Sequence, residues 1–412
     1  MNADISDPNV YGRAVPHAEF ARRRQESPVS WVDEVSLERR SRQGTARTRG
    51  AGYWCVTTHA LVVAVSRQPE VFSSAAQGAF LSDPKSREDL ERNRQLLINM
   101  DAPEHLVVRR FVGGVFTNRL VQGLRDSIAR HVHEIIERVQ AAGEFDAVRA
   151  VCAELPLLVL CDLLGIVQAD RSAILAWSND IVGFDDAEYG GGDADVYRRA
   201  LGNAVAYAGD EIVARRRSPR DDLLSQITHC EIDGRRLTDA ELRFLWILLV
   251  IGGNESTRHL LSGSLLALAE WPQERDRLIA DGRLMRTAVD ELLRWVSPVM
   301  HFRRTASVDT ELGGQKIRAG DKVVLCYISA NRDETVFAEP QHLRLDRSPN
   351  PHLAFGVGPH FCLGAALARL EAAVLLDALR PHLLKWRIDG PAQRMSSNFM
   401  NGLKSLRIRI ES

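Results

Sequence analysis

One cysteine near the C-terminal end of the chain lies in a glycine-rich turn directly before a helical run. The segment Phe355-Gly-Val-Gly-Pro-His-Phe-Cys362-Leu-Gly364 has the pattern Phe-x-x-Gly-x-x-x-Cys-x-Gly, and apolar residues at helical spacing follow over 365–379. Backbone N–H groups in such a turn, and the positive end of the following helix dipole, stabilise a thiolate. Such a thiolate suits the axial position of a haem iron, whereas a random cysteine is more often an ordinary buried thiol.

The length of the pattern, and its partners elsewhere in the chain, favour the ligand interpretation. The segment resembles the cysteine loop of the cytochrome P450 family, the haem-thiolate monooxygenases, and the similarity extends from about Pro16 to the C-terminus. The resemblance implies a mainly α fold with a minor β portion, in a single domain over 1–412. It also implies haem b as cofactor, Cys362 as the ligand of its iron, and Phe355 and Gly364 as cofactor contacts.

Composition and charge describe an ordinary globular protein. Of the 412 residues, 45% are hydrophobic and 26% are charged, and the formal net charge of −1 gives no electrostatic reason to bind nucleic acid or a membrane surface. The six cysteines form no Cys-x-x-Cys pair, which indicates a reducing compartment and argues against a zinc module. The N-terminus lacks a signal-peptide core. We expect a soluble, cytoplasmic monomer in which residues 1–15 form a flexible segment.

Helical patterns dominate the chain. Apolar residues recur at helical spacing in the segments 119–142, 147–164, 195–217, 239–270 and 283–295. Strand-like segments are fewer, namely 52–57 and 323–328. The segment 183–193 is rich in Gly and Asp, as a solvated connector is. The P450 resemblance implies that it joins two lid helices that open over the substrate.

The predicted helix 239–270 has an unusual interior. It opens with a capping box, Thr238-Asp-Ala-Glu241, and later contains Gly252-Gly-Asn-Glu-Ser-Thr257. Paired glycines destabilise a helix by about 1 kcal/mol each. A buried acid beside an alcohol costs more unless both have partners. Judged from these residues alone, the segment is explained as a notch on the helix surface where another helix crosses.

The P450 resemblance gives the same segment a catalytic role. The family pattern Ala/Gly-Gly-x-Asp/Glu-Thr aligns Glu255 with the acid and Ser256 with the alcohol that deliver protons to bound oxygen, and Thr257 is a further catalytic candidate. Gly252 and Gly253 would leave room for the cofactor and dioxygen. Serine stands where threonine is usual, which keeps the hydroxyl but loosens its rotamer preference.

Four cationic or imidazole groups match one anionic cofactor. His105 and Arg109 are spaced i, i+4 and share a helix face, which alone is more typical of a surface pair. The P450 resemblance implies that both contact a haem propionate, and that Arg304 and His360 provide the remaining propionate contacts.

A further P450 feature is the Glu-x-x-Arg pair formed by Glu291 and Arg294. Exposed pairs at this spacing contribute little, below about 1 kcal/mol. The resemblance implies instead a buried structural pair near the cysteine loop, with His342 as its third member.

Oxidation at a haem-thiolate requires O2 and two electrons, and the chain contains no flavin, nicotinamide or iron–sulfur fingerprint. We therefore expect a ferredoxin and a ferredoxin reductase as electron donors. They would dock near Cys362, where Arg110, Arg119 and Arg369 are candidate contacts; an ordinary solvated surface explains these arginines equally well.

Family topology also provides candidates for a substrate pocket, and because most of them are apolar we expect a hydrophobic substrate. They are Phe184, Val250, Gly252, Val299, His301, Phe399 and Met400. Segments such as 251–259 resemble the bacterial branch that hydroxylates steroid side chains and branched lipids, a branch that also resembles enzymes tailoring terpenes and polyketides. Hydroxylation of a steroid, terpenoid or polyketide is the leading hypothesis.

Two alternatives remain open. The same fold supports epoxidation, desaturation or ring coupling in secondary metabolism, since the placement of the substrate decides which atom reacts. From a different class, the chain could be a haem-binding protein without turnover. The acid and alcohol at Glu255 and Ser256 argue against that, because a carrier needs no proton relay.

Overall fold

The computed structural model describes residues 3–411, and helices dominate it. The α-helices are α1 Pro8–Tyr11, α2 His17–Glu26, α3 His59–Ser66, α4 Arg87–Asn93, α5 Glu104–Val115, α6 Asn118–Gly123, α7 Arg125–Ala142, α8 Glu154–Leu164, α9 Arg171–Val182, α10 Ala194–Arg217, α11 Leu223–His229, α12 Asp239–Glu270, α13 Pro272–Ala280, α14 Met285–Val296, α15 Tyr327–Ala330 and α16 Ala365–Leu379. Short 3-10 turns occur at Leu97–Asn99, Gln168–Asp170, Gly282–Leu284 and Gly358–His360.

The strands are short and form small sheets. They are β1 Val29–Val32, β2 Leu37–Ser41, β3 Gly44–Thr48, β4 Tyr53–Val56, β5 Phe72–Ser73, β6 Glu144–Asp146, β7 His301–Ala306, β8 Thr310–Leu312, β9 Gln315–Ile317, β10 Lys322–Cys326, β11 Trp386–Ile388, β12 Gln393–Arg394, β13 Leu403–Ser405 and β14 Arg407–Ile410. The largest sheet has the order β1-β4-β10-β7-β5, with β4 and β10 parallel. The prediction of a mainly α fold with a minor β portion is confirmed.

Strand β10 is buried on both faces of the largest sheet. Val323 and Leu325 face one apolar cluster, whereas Val324 and Cys326 face another, as the two-residue period of a strand requires. The predicted strand 323–328 is therefore confirmed up to Cys326. The next residues, Tyr327 and Ile328, belong to α15.

Helix α12 matches the predicted segment 239–270 at both ends. Its capping box forms, because the Thr238 hydroxyl accepts from the Glu241 N–H and the Glu241 carboxylate accepts from the Thr238 N–H. The helix then runs through the centre of the main apolar core. The predicted helices 195–217 and 283–295 are confirmed within two residues as α10 and α14.

Two predicted helices are interrupted in the structure. The segment 119–142 divides at Leu124 into α6 and α7. The segment 147–164 starts as a π-helical turn, Val148–Cys152, and continues as α8. Pro156 explains this change, because it has no N–H to donate to the Cys152 carbonyl across the junction.

The N-terminal segment is packed against the body, in contrast to the predicted flexible segment 1–15. Ile5 and Tyr11 are 4% exposed and lie in one apolar cluster with Phe20. The Tyr11 hydroxyl donates to the Ile5 carbonyl at 3.0 Å. The prediction is therefore wrong for the described part of that segment; residues 1 and 2 lie outside the described residues.

The Gly- and Asp-rich segment 183–193 connects α9 to α10, as predicted. Asp186 is 1% exposed and accepts from the Ser396 N–H at 2.8 Å and from Lys404 at 3.2 Å. The Arg39 guanidinium pairs with Asp185 at 2.5 Å. The connector is thus fastened to the C-terminal hairpin on one side and to β2 on the other, and the lid motion stays a prediction.

A buried ion network joins α14 to the segment that precedes the cysteine loop. Both oxygens of Glu291 accept from Arg294, at 2.7 and 2.8 Å, and Arg347 donates to the same carboxylate at 3.0 Å. Glu291 and Arg294 have no exposed surface. The third member is therefore Arg347, and the prediction of His342 is wrong: its side chain is exposed, and only its carbonyl accepts from Arg294 at 3.2 Å.

We expect Glu291→Gln to lower the free energy of unfolding by about 3–5 kcal/mol, because it leaves two buried guanidinium groups without a counter-charge. Glu91→Gln is the matched control, since Glu91 pairs with Arg87 at 2.9 Å on the exposed surface, where such pairs contribute below about 1 kcal/mol. Denaturant unfolding of both variants measures the difference. Equal losses in the two variants would contradict a structural role for the buried network.

Candidate active site

A large, mostly apolar cavity separates the middle of α12 from the cysteine loop. The loop 354–364 and the first turns of α16 form one wall, and residues 248–260 of α12 form the opposite wall. Helix α5 and strand β7 contribute polar side chains at one side. The cavity therefore joins the cysteine loop and the unusual glycine-containing segment of α12, which are more than a hundred residues apart in sequence.

Cys362 faces this cavity from a turn that backbone hydrogen bonds hold in place. Its N–H donates to the Phe355 carbonyl at 2.9 Å. Gly358 has a φ of +78°, and a Cβ there would lie 2.6 Å from the Ser66 carbonyl oxygen, so only glycine fits. The turn is thereby clamped against the end of α3 with the Cys362 side chain directed into the cavity.

The groups predicted to stabilise a Cys362 thiolate are present, but burial of the side chain has the larger effect on its pKa. Burial raises the pKa of the thiol above its usual value, although N–H groups of Gly364 and Ala365 and the charges of Arg109 and Arg369 act to lower it. The protein groups alone therefore favour the thiol. No group of three or more His, Cys, Asp or Glu side chains in residues 3–411 is arranged to hold a metal ion.

The four predicted propionate contacts meet at one side of the cavity. The His105 and His360 rings lie 4.2 Å apart, and Ser74 Oγ lies 3.2 Å from His360 Nε2. Arg109 donates to the Phe361 carbonyl at 2.6 Å, and Arg304 donates to the Arg303 carbonyl at 2.8 Å. All four side chains line the cavity.

These groups lack the anionic partners that buried cations require. Within residues 3–411 neither Arg109 nor Arg304 forms an ion pair with a carboxylate, and His105 Nε2 is buried without a hydrogen-bond partner. Burial lowers the pKa of His105 to about 4, and burial together with Arg304 lowers the pKa of His360 well below its usual value. Two guanidinium groups without a carboxylate partner and two neutral imidazole rings therefore line the cavity, which fits a flat cofactor carrying two carboxylates.

Helix α12 presents its glycines and its alcohol to the opposite side of the cavity. A Cβ on Gly252 would enter open space, whereas a Cβ on Gly253 would lie 3.1 Å from Leu160. Gly252 thus leaves the space free, and Gly253 allows α8 to approach. The Ser256 hydroxyl donates to the Gly252 carbonyl at 2.6 Å, and Thr257 also lines the cavity.

Glu255 is held in a buried polar network between α12 and α9. Arg258 lies 2.6 Å from one carboxylate oxygen, and Ser178 and Asn254 donate to the other, both at 3.1 Å. Arg258 also donates to Asn179 of α9 at 2.7 Å. The sequence analysis missed these partners: Arg258 was detectable at i+3 from the acid, whereas nothing in the sequence relates Ser178 to Glu255.

The structure places four of the predicted pocket residues on the cavity wall, namely Gly252, Val299, Phe399 and Met400. Three others lie off this wall, and their contact with a substrate stays a prediction. Phe184 packs on Tyr197 at 5.8 Å under the Arg39 guanidinium. Val250 points to the opposite side of α12, into a small void beside Trp246. His301 is buried and its ring packs against Phe399 at 5.7 Å.

Other apolar side chains complete the distal wall. Phe302 packs with Phe80 and Phe399 in a cluster of three rings, with ring centroids 6.2, 5.6 and 5.5 Å apart. The remaining members include Leu97, Ile98, Val182, Leu245, Leu248, Leu249 and Ile251. Neighbouring positions of β7 thus face different ways, because successive side chains in a strand alternate, and the wall receives Phe302 instead of His301.

Comparison with known proteins assigns the family. The sequence profile described as Cytochrome P450 matches residues 197–379. A "Steroid C26-monooxygenase" from Rhodococcus jostii is 36% identical over 98% of this chain and 84% of its own length. The chain belongs to the cytochrome P450 family.

Further relatives agree with this P450 assignment. A "Methyl-branched lipid omega-hydroxylase" from Mycobacterium tuberculosis is 37% identical over 94% of this chain and 89% of its own length. The crystallised P450 CYP268A2 from Mycobacterium marinum, in complex with pseudoionone, superposes with a TM-score of 0.89 at 36% identity, covering 99% of this chain and 98% of that one. The chain is a P450 monooxygenase, and the family uses a haem-thiolate iron, O2 and hydrophobic substrates. No described helix is long and apolar enough to cross a membrane.

Proposed function

We propose that Cys362 is the axial ligand of a haem b iron and that His105, Arg109, Arg304 and His360 hold the haem carboxylates. The observation that carries this proposal is the combination of a cavity-facing thiol with unneutralised cations on the same cavity. A ferric iron would supply the positive charge that Cys362 needs to become a thiolate. Phe355, Gly364 and Gly253 would contact the macrocycle, since all three line the cavity.

The residues of α12 would transfer protons on the side of the cavity opposite Cys362. A haem held by these residues would supply the chemistry of O2 activation and oxygen transfer to the substrate. Gly252 leaves space beside it, Ser256 and Thr257 present hydroxyl groups, and Glu255 is the acid of the relay. Arg258 and Ser178 both contact the Glu255 carboxylate. At least one of these two contacts must therefore break before Glu255 can transfer a proton into the cavity.

The substrate that fits best is a neutral, hydrophobic molecule of steroid, terpenoid or polyketide type, hydroxylated on an aliphatic part. The distal wall is formed by Phe80, Phe302, Phe399 and aliphatic side chains, and its one charged member, Glu255, is already paired. The relatives named for steroid C26 oxidation and for ω-hydroxylation of methyl-branched lipids support oxidation near a chain end. Product analysis distinguishes hydroxylation from epoxidation, desaturation or ring coupling.

Electrons would come from a ferredoxin and its reductase, docking on the face beside the cysteine loop of a monomeric P450. Leu106 and Phe361 are 52% and 41% exposed there, next to the exposed Arg110. Arg119 is exposed as well. Arg369 is less suited, because it donates to Asp290 at 2.8 Å and lies over the Phe355 ring.

We expect the reduced protein under carbon monoxide to show the strongly red-shifted Soret band of a thiolate-ligated haem. Cys362→Ser should abolish this band, because serine is a much poorer ligand for the iron. Cys230→Ser is the matched control, since Cys230 is partly buried and lies off the cavity wall. Absence of the band in the wild type, or its persistence in Cys362→Ser, would overturn the proposed ligand.

We also expect the distal cavity to reject charge near the oxidised end of the substrate. A sterol carrying a carboxylate at the end of its side chain should bind at least about tenfold more weakly than the parent sterol, because the charge finds no free partner on this wall. Spectral titration of the haem and calorimetry measure both affinities. The same carboxylate at the opposite end of the sterol is the control, and equal binding of all three compounds would contradict this substrate class.

A further inference from the structure

One histidine inside α12 is fully buried, and nothing in the proposed function uses it. His259 has no exposed surface, and neither of its ring nitrogens has a hydrogen-bond partner in residues 3–411. Burial, and after it the nearby charges of Arg258 and Arg394, lower the pKa of this imidazole well below its usual value, so the ring is neutral. A neutral imidazole carries one N–H donor, and burying that donor without a partner is costly.

The His259 ring is held close to Glu255, which lies one helical turn earlier on the same face of α12. The distance from His259 Nε2 to Glu255 Oε2 is 3.7 Å, just beyond that of a hydrogen bond. On the other side, a Cβ on Gly402 would lie 2.3 Å from the Cε1 atom of the ring. The backbone before β13 therefore packs directly against His259, and only a residue without a side chain leaves room for the ring there.

The two oxygens of the Glu255 carboxylate are held in different ways. Ser178 and Asn254 both donate to Oε1, at 3.1 Å. Oε2 lies 2.6 Å from the Arg258 guanidinium in an ion pair, but it receives no well-directed hydrogen bond. Oε1 is therefore a fixed point, about which a small rotation of the carboxylate moves Oε2 away from Arg258 and towards His259.

The two neighbours of Oε2 differ in charge. A carboxylate beside a guanidinium is kept ionised, whereas a carboxylate that accepts from a neutral N–H is more readily protonated. Arg258 does not depend on Glu255 alone, because it also donates to Asn179 of α9 at 2.7 Å. A move of Oε2 to His259 therefore leaves Arg258 with a partner and gives the unpartnered imidazole one.

We propose that His259 is a positioning residue of this monooxygenase, which holds Glu255 by a hydrogen bond from Nε2 when the carboxyl group has left Arg258. The ring then carries its hydrogen on Nε2, and Ser178 and Asn254 keep their bonds to Oε1. Without the His259 donor, Oε2 would leave Arg258 for an apolar environment, so the carboxylate would stay in its ion pair. This inference rests on the proposed role of Glu255 in proton transfer.

Two kinds of substitution separate a donor at position 259 from a residue that only fills space. Glutamine keeps an N–H donor, whereas leucine and methionine fill the site without one. We expect His259→Gln to form product within about threefold of the wild-type rate. His259→Leu and His259→Met should be at least about tenfold slower, with a larger solvent isotope effect and more peroxide, because Glu255 stays with Arg258. Wild-type turnover in both apolar variants, or equal slowing in all three, would overturn the proposal.

Stability and substrate binding separate this role from a structural one. His259→Leu removes a buried donor that has no partner, so the variant should resist denaturant at least as well as the wild type. Its carbon monoxide band and its substrate affinity, measured by spectral titration, should be unchanged. His17→Leu is the matched control, because Nδ1 of His17 on α2 is also buried without a partner, and it should leave the isotope effect unchanged. A slow His259→Leu that is also less stable would indicate a structural role and contradict the proposal.

A double-mutant cycle distinguishes failure of this inference from failure of the proposed function. If His259 acts through Glu255, adding His259→Leu to Glu255→Gln should slow turnover no further. Additive losses in the double variant would contradict the inference and leave the proposed role of Glu255 in place. Full activity of Glu255→Gln alone would instead refute the proposed role of Glu255 itself, and with it the positioning role of His259.

Discussion

The site depends on positive charge that the protein does not neutralise by itself. Arg304 is 3% exposed, its side-chain hydrogen bond goes to a backbone carbonyl, and burial lowers its pKa. Arg109 faces the same cavity, and the buried acid Glu291 of α14 is already paired with Arg294 and Arg347. A buried guanidinium without a counter-ion costs several kcal/mol, roughly the amount lost when a buried ion pair is broken. In the proposed function, an anionic cofactor completes the site and offsets that cost.

The same requirement for a partner of opposite charge applies to the cysteine loop. Cys362 receives backbone N–H groups, yet burial keeps its pKa raised, so the sulfur also requires a positive partner. One cofactor with two carboxylates and a central cation answers both requirements. On the α12 side of the cavity, Gly252 provides space, and Glu255 is paired with Arg258. The distribution of charge around one cavity therefore determines what binds and where protons are available.

Local sequence signals predicted the parts of this structure that local interactions determine. The capping box at Thr238 defines the start of α12, and the glycine turn before Cys362 leaves little conformational choice. These local signals did not predict contacts that depend on packing between segments distant in sequence. Nothing near Glu291 distinguishes Arg347 from His342 as its partner, because the choice depends on the path of the loop that returns to α14.

Pocket residues were only partly predictable for the same reason. Val250 and Ile251 are neighbours on α12, yet Val250 faces only the void beside Trp246 and Ile251 also reaches the cavity. A rotation of about 100° per residue on a helix separates these environments, and family topology does not resolve it.

The most direct test of this account is the effect of Arg304→Met on the stability of the apoprotein and of the holoprotein. The account predicts opposite signs. Without haem, removing a buried, unpaired charge should leave the protein equally stable or stabilise it by about 1–3 kcal/mol. With haem, the same substitution should lower stability and accelerate haem loss, because a carboxylate loses its cation. Equal destabilisation of both forms would contradict the claim that Arg304 is held in place for an anionic cofactor.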